Sequence, residues 1–166
     1  YGYLGSSSGS SGTAIVDGLD SSWTCRSDLS ISNRYGEGTL SITNGASVSC
    51  DWDGYLGHDS SSTGQVIVDG AGSSWTCGGD LHISYGYYRH GQNTLDIRNR
   101  GLVKVAGTLA IHTHDNGNSC IIMSAGGMLA LHGDADDSIE DFMDMVLGVY
   151  QQRVVVKSEI ANAKFM

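Results

Sequence analysis

The sequence predicts an all-β chain: a right-handed parallel β-helix (β-solenoid) of about five three-strand coils, closed by a short C-terminal helical cap. Three observations lead there. First, the chain repeats at a fixed offset. Gly2-Tyr3-Leu4-Gly5 returns 52 residues later as Gly54-Tyr55-Leu56-Gly57, and Ser21-Ser22-Trp23-Thr24-Cys25 as Ser73-Ser74-Trp75-Thr76-Cys77. Second, short alternating apolar segments recur about every 26 residues, so the repeat unit is a double coil. Third, the chain holds 24 glycines and no proline, which suits tight turns between strands whose N–H groups are all needed for a ladder.

The strands follow in three columns. The first runs Ala14-Ile15-Val16, Leu40-Ser41-Ile42, Val66-Ile67-Val68 and Leu95-Asp96-Ile97. The second runs Trp23, Val48, Trp75 and Val103. The third runs Leu29-Ser30-Ile31, Tyr55-Leu56-Gly57, Leu81-His82-Ile83, Leu109-Ala110-Ile111 and Leu129-Ala130-Leu131. Alternation sends Leu29, Ile31, Leu81, Ile83, Leu109 and Ile111 inward, and Ser30, His82 and Ala110 outward. Turns fall at Asp17-Gly18, Asn44-Gly45, Ala71-Gly72, Ala106-Gly107 and Gly126-Gly127. Between Ile83 and Thr94 the chain is three residues longer than between Ile31 and Thr39. The extra length carries Tyr85, Tyr87, Tyr88, Arg89 and His90 as a loop on one face.

Two units are expected: solenoid repeats over 1–133 and a C-terminal segment over 134–166. In the second, Ile139, Phe142, Met143 and Val146 share one helix face, acids from Asp134 suit its start, and Gly148 suits its stop. Such a helix would cover the open last coil. Arg153 to Lys157 reads as one more strand, followed by a tail from Ser158.

Composition narrows the function. A net charge of −9 argues against nucleic acid and anionic membrane surfaces, and no apolar run is long enough for a membrane span. No signal peptide is visible, so the chain reads as a processed protein or a fragment of a longer array. The four cysteines are too few for a disulfide-built scaffold, and none forms CxxC.

Gly54 to Gly57, Val68-Asp69-Gly70, Gly72 to Thr76, Gly79-Asp80-Leu81 with Ile83, and Thr94-Leu95 with Ile97 and Asn99 together resemble a known repeat. It is the Gly/Ser-rich β-solenoid repeat of large bacterial secreted and surface proteins, of the kind in autotransporter passengers and PEP-CTERM-associated proteins. The resemblance covers roughly residues 1 to 133, and Trp23 and Trp75 in their Ser-Ser-Trp-Thr frames are its most specific part. It implies export to an extracellular or cell-surface location and carries no catalytic residues.

Several residues are candidates for a site. Cys25, Cys50 and Cys77 follow Trp23, Val48 and Trp75 in an inward-facing ladder. The choice there is between small buried hydrophobes and a disulfide between adjacent rungs. His112, His114 and His132 are the candidate metal ligands, and His58, His112 and His132 are expected at the place held by Ser32 and Ser84 in other coils. Asp134, Asp136 and Asp137 fit helix capping better than a calcium loop. The outward Thr24, Ser49 and Thr76 resemble an ice-binding array, but Lys104 interrupts it. Tyr85, Tyr87 and Tyr88, with Tyr35, are candidate stacking groups for a glycan.

No two columns gather paired acids of the kind that glycoside cleavage needs, so no cofactor or chemistry is expected. The reading is a non-enzymatic structural or adhesive module of a bacterial surface or secreted protein. Its expected partner is itself, end to end as a homo-oligomer or filament, or a cell-surface polysaccharide. The alternative is a carbohydrate-binding or polysaccharide-degrading β-helix that uses the Tyr85–Tyr88 insertion.

Overall fold

The computed structural model describes residues 1–58, 62–86, 91–112 and 119–131, with two further strands at 153–156 and 164–165. The chain winds through three parallel sheets that form a β-solenoid. Sheet A stacks β1 (Gly2–Leu4), β4 (Leu29–Asn33), β7 (Gly54–His58), β10 (Leu81–Tyr85) and β13 (Leu109–Ile111). Sheet B stacks β2 (Ser11–Asp17), β5 (Glu37–Thr43), β8 (Thr63–Asp69), β11 (Thr94–Arg98), β14 (Cys120–Ser124) and β16 (Arg153–Val156). Sheet C stacks β3 (Ser22–Cys25), β6 (Ser47–Cys50), β9 (Ser74–Cys77), β12 (Leu102–Val105), β15 (Met128–Leu131) and β17 (Lys164–Phe165). Thus β1 to β15 make five coils of three strands each, as the period of about 26 requires.

Register is set by the period-2 pattern, because a one-residue slip would turn every apolar side chain outward. Leu40 lies between Ala14 and Val66, and Val68 between Ile42 and Ile97, so sheet B keeps the expected first column. The second column also holds, with Trp23, Val48, Trp75 and Val103 in register. All the inward residues expected of Leu29, Ile31, Leu81, Ile83, Leu109 and Ile111 are buried.

The third column needs two corrections. Leu29 pairs with Gly54, and Ile31 with Leu56, so the strand is Gly54-Tyr55-Leu56 rather than Tyr55-Leu56-Gly57. Only this register buries Leu56 and turns the large Tyr55 ring outward. Leu129-Ala130-Leu131 belongs to sheet C, where Leu129 pairs with Val103 and Leu131 with Val105. In that coil the sheet B strand is Ile121-Ile122-Met123, which pairs with Leu95-Asp96-Ile97.

The register explains why the sequence period is a double coil. Gly54 faces Trp75 across the core. A Cβ on Gly54 would stand 2.6 Å from Cys77 Sγ and 3.1 Å from Trp75 Cζ2, and Gly2 stands likewise against Cys25 and Trp23. In the coils between, Leu29 and Leu81 occupy the glycine position, and Val48 and Val103 occupy the tryptophan position. Trp with Gly and Val with Leu are two ways to fill the same layer at native density. The Trp75 indole N–H has no acceptor among the described residues, at a cost of about 1–3 kcal/mol. Burying the ring is worth about 4–6 kcal/mol at ~25 cal/mol per Å², so volume wins.

The expected cap helix, with Asp134, Asp136, Asp137 and the face from Ile139 to Val146, lies outside the described residues. The strand expected from Arg153 is β16, and it extends sheet B beside β14. The tail contributes β17, which sequence patterning did not foresee, beside β15 in sheet C.

Candidate functional site

The outer face of sheet A gathers aromatic rings. Its central outward column is Tyr3, Ser30, Tyr55, His82 and Ala110, in register across five strands. A second column places Asn33, His58 and Tyr85 side by side. Strand stacking about 4.8 Å apart brings these rings into contact. Tyr55 stacks on His82 with centroids 5.2 Å apart, His58 lies parallel to Tyr85 at 5.6 Å, and His82 stacks on His112 at 5.6 Å. Tyr85 meets both Tyr55 and His112 edge-on. Ser30 points outward yet is only 3% exposed, because it lies between Tyr3 and Tyr55.

A rim of carboxylates runs along the corner between sheets C and A. Asp53 N donates to Asp28 Oδ1, Asp80 N to Asp53 Oδ1, and Thr108 N to Asp80 Oδ1. Each aspartate thus satisfies the backbone of the next rung, as turn aspartates do. The other oxygens turn to the aromatic face. Tyr55 donates its hydroxyl to Asp53 Oδ2 at 3.2 Å, and His82 Nε2 lies 3.8 Å from Asp80 Oδ2. Burial pushes the Tyr55 hydroxyl well up, and the Asp53 carboxylate adds to this, so it stays protonated and donates.

Burial also holds the His82 imidazole below its ordinary value of 6.5, opposed by Asp80 and Asp53 and aided by His58. The unfolded chain therefore takes up this proton first. Stability is full above about pH 6.5 and declines as pH falls through that value. Thermal melts between about pH 8 and pH 5 should show a falling midpoint that is shallower in His82→Gln. Parallel curves for the two proteins would remove His82 as the cause.

The second polar cluster is buried at the corner between sheets A and B. Asn93 is fully buried. Its Oδ1 accepts Gly64 N at 2.7 Å, and its Nδ2 donates to Ser84 Oγ at 2.8 Å. Ser84 and Ser119 hydroxyls bond to each other, and Ser119 Oγ donates to the Gly91 carbonyl. Since the Ser119 proton is committed to Gly91, Ser84 donates to Ser119, and a single directed chain runs from Asn93 to the backbone. Gly57, at φ +81°, leaves the space that the Asn93 amide fills. This cluster is structural, because it satisfies backbone groups and its side chains are buried.

The other expected sites separate. Cys25, Cys50 and Cys77 are in register, buried and free, so the ladder is one of thiols. The neighbouring Cys50 and burial push the Cys77 thiol up, and burial pushes Cys25 up, which keeps both protonated and inert. His112 is brought beside His82, with Nε2 3.4 Å from His82 Nδ1. His114 and His132 lie outside the described residues. Among the described residues no group of three or more His, Cys, Asp or Glu side chains is arranged to hold a metal ion. His58 aligns with Asn33 and Tyr85, one place beyond Ser32 and Ser84, which corrects the expectation for it.

Tyr85 stands in the aromatic face and Tyr35 in the exposed turn after β4, whereas Tyr87 and Tyr88 lie outside the described residues. Thr24, Ser49, Thr76 and Lys104 do share one column on sheet C, with Ser49 donating to Thr24 at 3.2 Å.

Sequence reading missed Tyr55, His58 and His82 as a cluster, and Asn93 altogether. The signal for the first was present: the repeat maps Gly2-Tyr3-Leu4 onto Gly54-Tyr55-Leu56, and following it would have set the register. No family model, curated protein or solved structure matches the chain.

Proposed function

We propose that this chain is a non-enzymatic adhesive module of a bacterial surface or secreted protein. The observation that carries this reading is the uneven distribution of exposed rings. Among the described residues, the exposed aromatics are Tyr1, Tyr3, Tyr35, Trp52 and Tyr85. All lie in sheet A, next to it or at its two corners, while the outward positions of sheets B and C are small, aliphatic or charged. Exposed aromatic rings gathered on one side of the scaffold, while the exposed Ile15 and Leu19 elsewhere are aliphatic and isolated, mark an interaction surface. The Gly/Ser-rich repeat resembling autotransporter passengers and PEP-CTERM-associated proteins supports an extracellular or cell-surface setting.

Beads coated with the protein are expected to adhere to bacterial cell surfaces. A Tyr3→Ser/Tyr85→Ser double variant that melts like the wild type should adhere severalfold less. Equal adhesion by the two proteins would sink the reading.

End-to-end association is the second reading. One observation bears on it: the inward-facing Leu4, Ala14, Val16 and Trp23 of the first described coil are only partly buried, whereas Ile31, Leu40, Ile42 and Val48 one rung on are closed. A further coil of this pattern, from the same chain or from a second copy, would cover them. Sedimentation that shows particles growing with concentration would support stacking of copies, and a monomer at every concentration would remove it.

A further inference from the structure

We infer that the outer face of sheet A is a track for an extended, non-anionic glycan chain lying along the solenoid axis, about one sugar ring per rung. The inference rests on the adhesive reading and names its ligand.

Three features lead to it. The first is ring chemistry. Tyr3, Trp52 and Tyr85 are 52%, 60% and 43% exposed, and they offer apolar ring surface to water. Such surface suits the C–H face of a pyranose, which is apolar on its faces and polar at its edge. Tyr55 and His82, which Tyr85 touches, are stacked on each other and held by Asp53 and Asp80, so this part of the track is preorganised.

The second is charge. Asp28, Asp53 and Asp80 line one rim at successive rungs, and the whole chain carries −9. Their Oδ1 atoms accept backbone N–H groups, and Asp53 Oδ2 and Asp80 Oδ2 each turn one side to Tyr55 and His82, so Asp28 Oδ2 and the second lone pairs of the other two accept protons from hydroxyl or amino groups of a ligand. The same rim repels uronic acids, sulfated sugars and nucleic acid.

The third is spacing. Tyr3 and Tyr55 share a column two rungs apart, so their separation is about 10 Å at the spacing of parallel strands. A pyranose in an extended β-linked chain advances about one rung of that ladder. A straight glycan thus stays in phase with the solenoid over several residues. A globular or strongly coiled ligand would not.

Titration calorimetry with cello-oligosaccharides and chito-oligosaccharides of increasing length, beside alginate as a polyanion, tests this. At least one uncharged series should bind, with affinity rising stepwise with length, and alginate should not bind. Trp52→Ala and Tyr85→Ala should each weaken binding about tenfold or more, measured well below the melting midpoint of each variant, because Tyr85 also packs on Tyr55, His58 and His82. Silence on both series, binding of alginate as tight as that of the neutral chains, or binding that ignores both substitutions would overturn the inference. Coated beads that still adhere to cells without competition from either series would overturn the glycan while leaving the adhesive reading standing. Beads that fail to adhere would remove the adhesive reading itself.

Discussion

Replacing Gly54 by leucine is expected to destabilise the solenoid strongly on its own and much less when Trp75 is replaced by valine in the same chain. Alone, the leucine enters a layer where even a Cβ meets Cys77 Sγ at 2.6 Å and Leu81 Cδ1 at 3.2 Å. Overpacking of this kind costs about 1–3 kcal/mol or more. Trp75→Val alone empties a fully buried site, at about 3 kcal/mol or more by analogy with large-to-small core changes. Together the two changes rebuild the Leu29/Val48 layer that the neighbouring coil already uses. A double-mutant cycle by urea unfolding should therefore give a favourable coupling of about 1–3 kcal/mol. Strictly additive effects would show that the alternation of Trp and Val is not a packing code.

Asn93→Ala is expected to cost about 1–3 kcal/mol, because it orphans the buried Gly64 N–H and breaks the directed chain through Ser84 and Ser119. Stability in stacked coils is local as well as global, so the clearest readout is amide hydrogen exchange. Gly64 should lose protection in Asn93→Ala while the distant amides of β3 and β6 keep theirs. Gly57→Ala approaches the same corner from the other side. It adds a left-handed penalty of about 1–2 kcal/mol to a Cβ that would stand 2.2 Å from Asn93 Nδ2. Both variants should weaken the same region. Unchanged protection at Gly64 in Asn93→Ala would mean that another group satisfies this amide.

Much of the architecture was legible because it rests on periodicity. The recurrence of Ser-Ser-Trp-Thr-Cys and of Val-Asp-Gly places the coils, and strict alternation in Ala14-Ile15-Val16 or Leu95-Asp96-Ile97 states which side is inward. Asp17 and Asp69 were readable as turn residues from the glycine that follows each, but they end β2 and β8 and their side chains bridge between rungs. Asp17 accepts from Thr43 and Asn44, and Asp69 from Arg98 and Asn99, one rung on in each case. Where the rhythm weakened, so did the reading. In Gly54-Tyr55-Leu56-Gly57 two glycines flank two apolar residues, and alternation alone allows either register. In Leu129-Ala130-Leu131 the Leu-x-Leu pattern fits sheet A or sheet C equally.

The sequence by itself determined the period, the three-column winding and the side of the sheet on which each regular strand buries its residues, since these follow from local alternation and from identity between copies. Only the tertiary structure decided that Gly54 exists to admit Trp75, that Asn93 serves a glycine in the preceding coil, and that Tyr3, Tyr55, His82 and Tyr85 share one face. The physical reason is the same in each case. These relations run between strands, across the core or up the stack, and they connect residues whose separation in the chain depends on the register, which is settled only when every coil is packed on its neighbours.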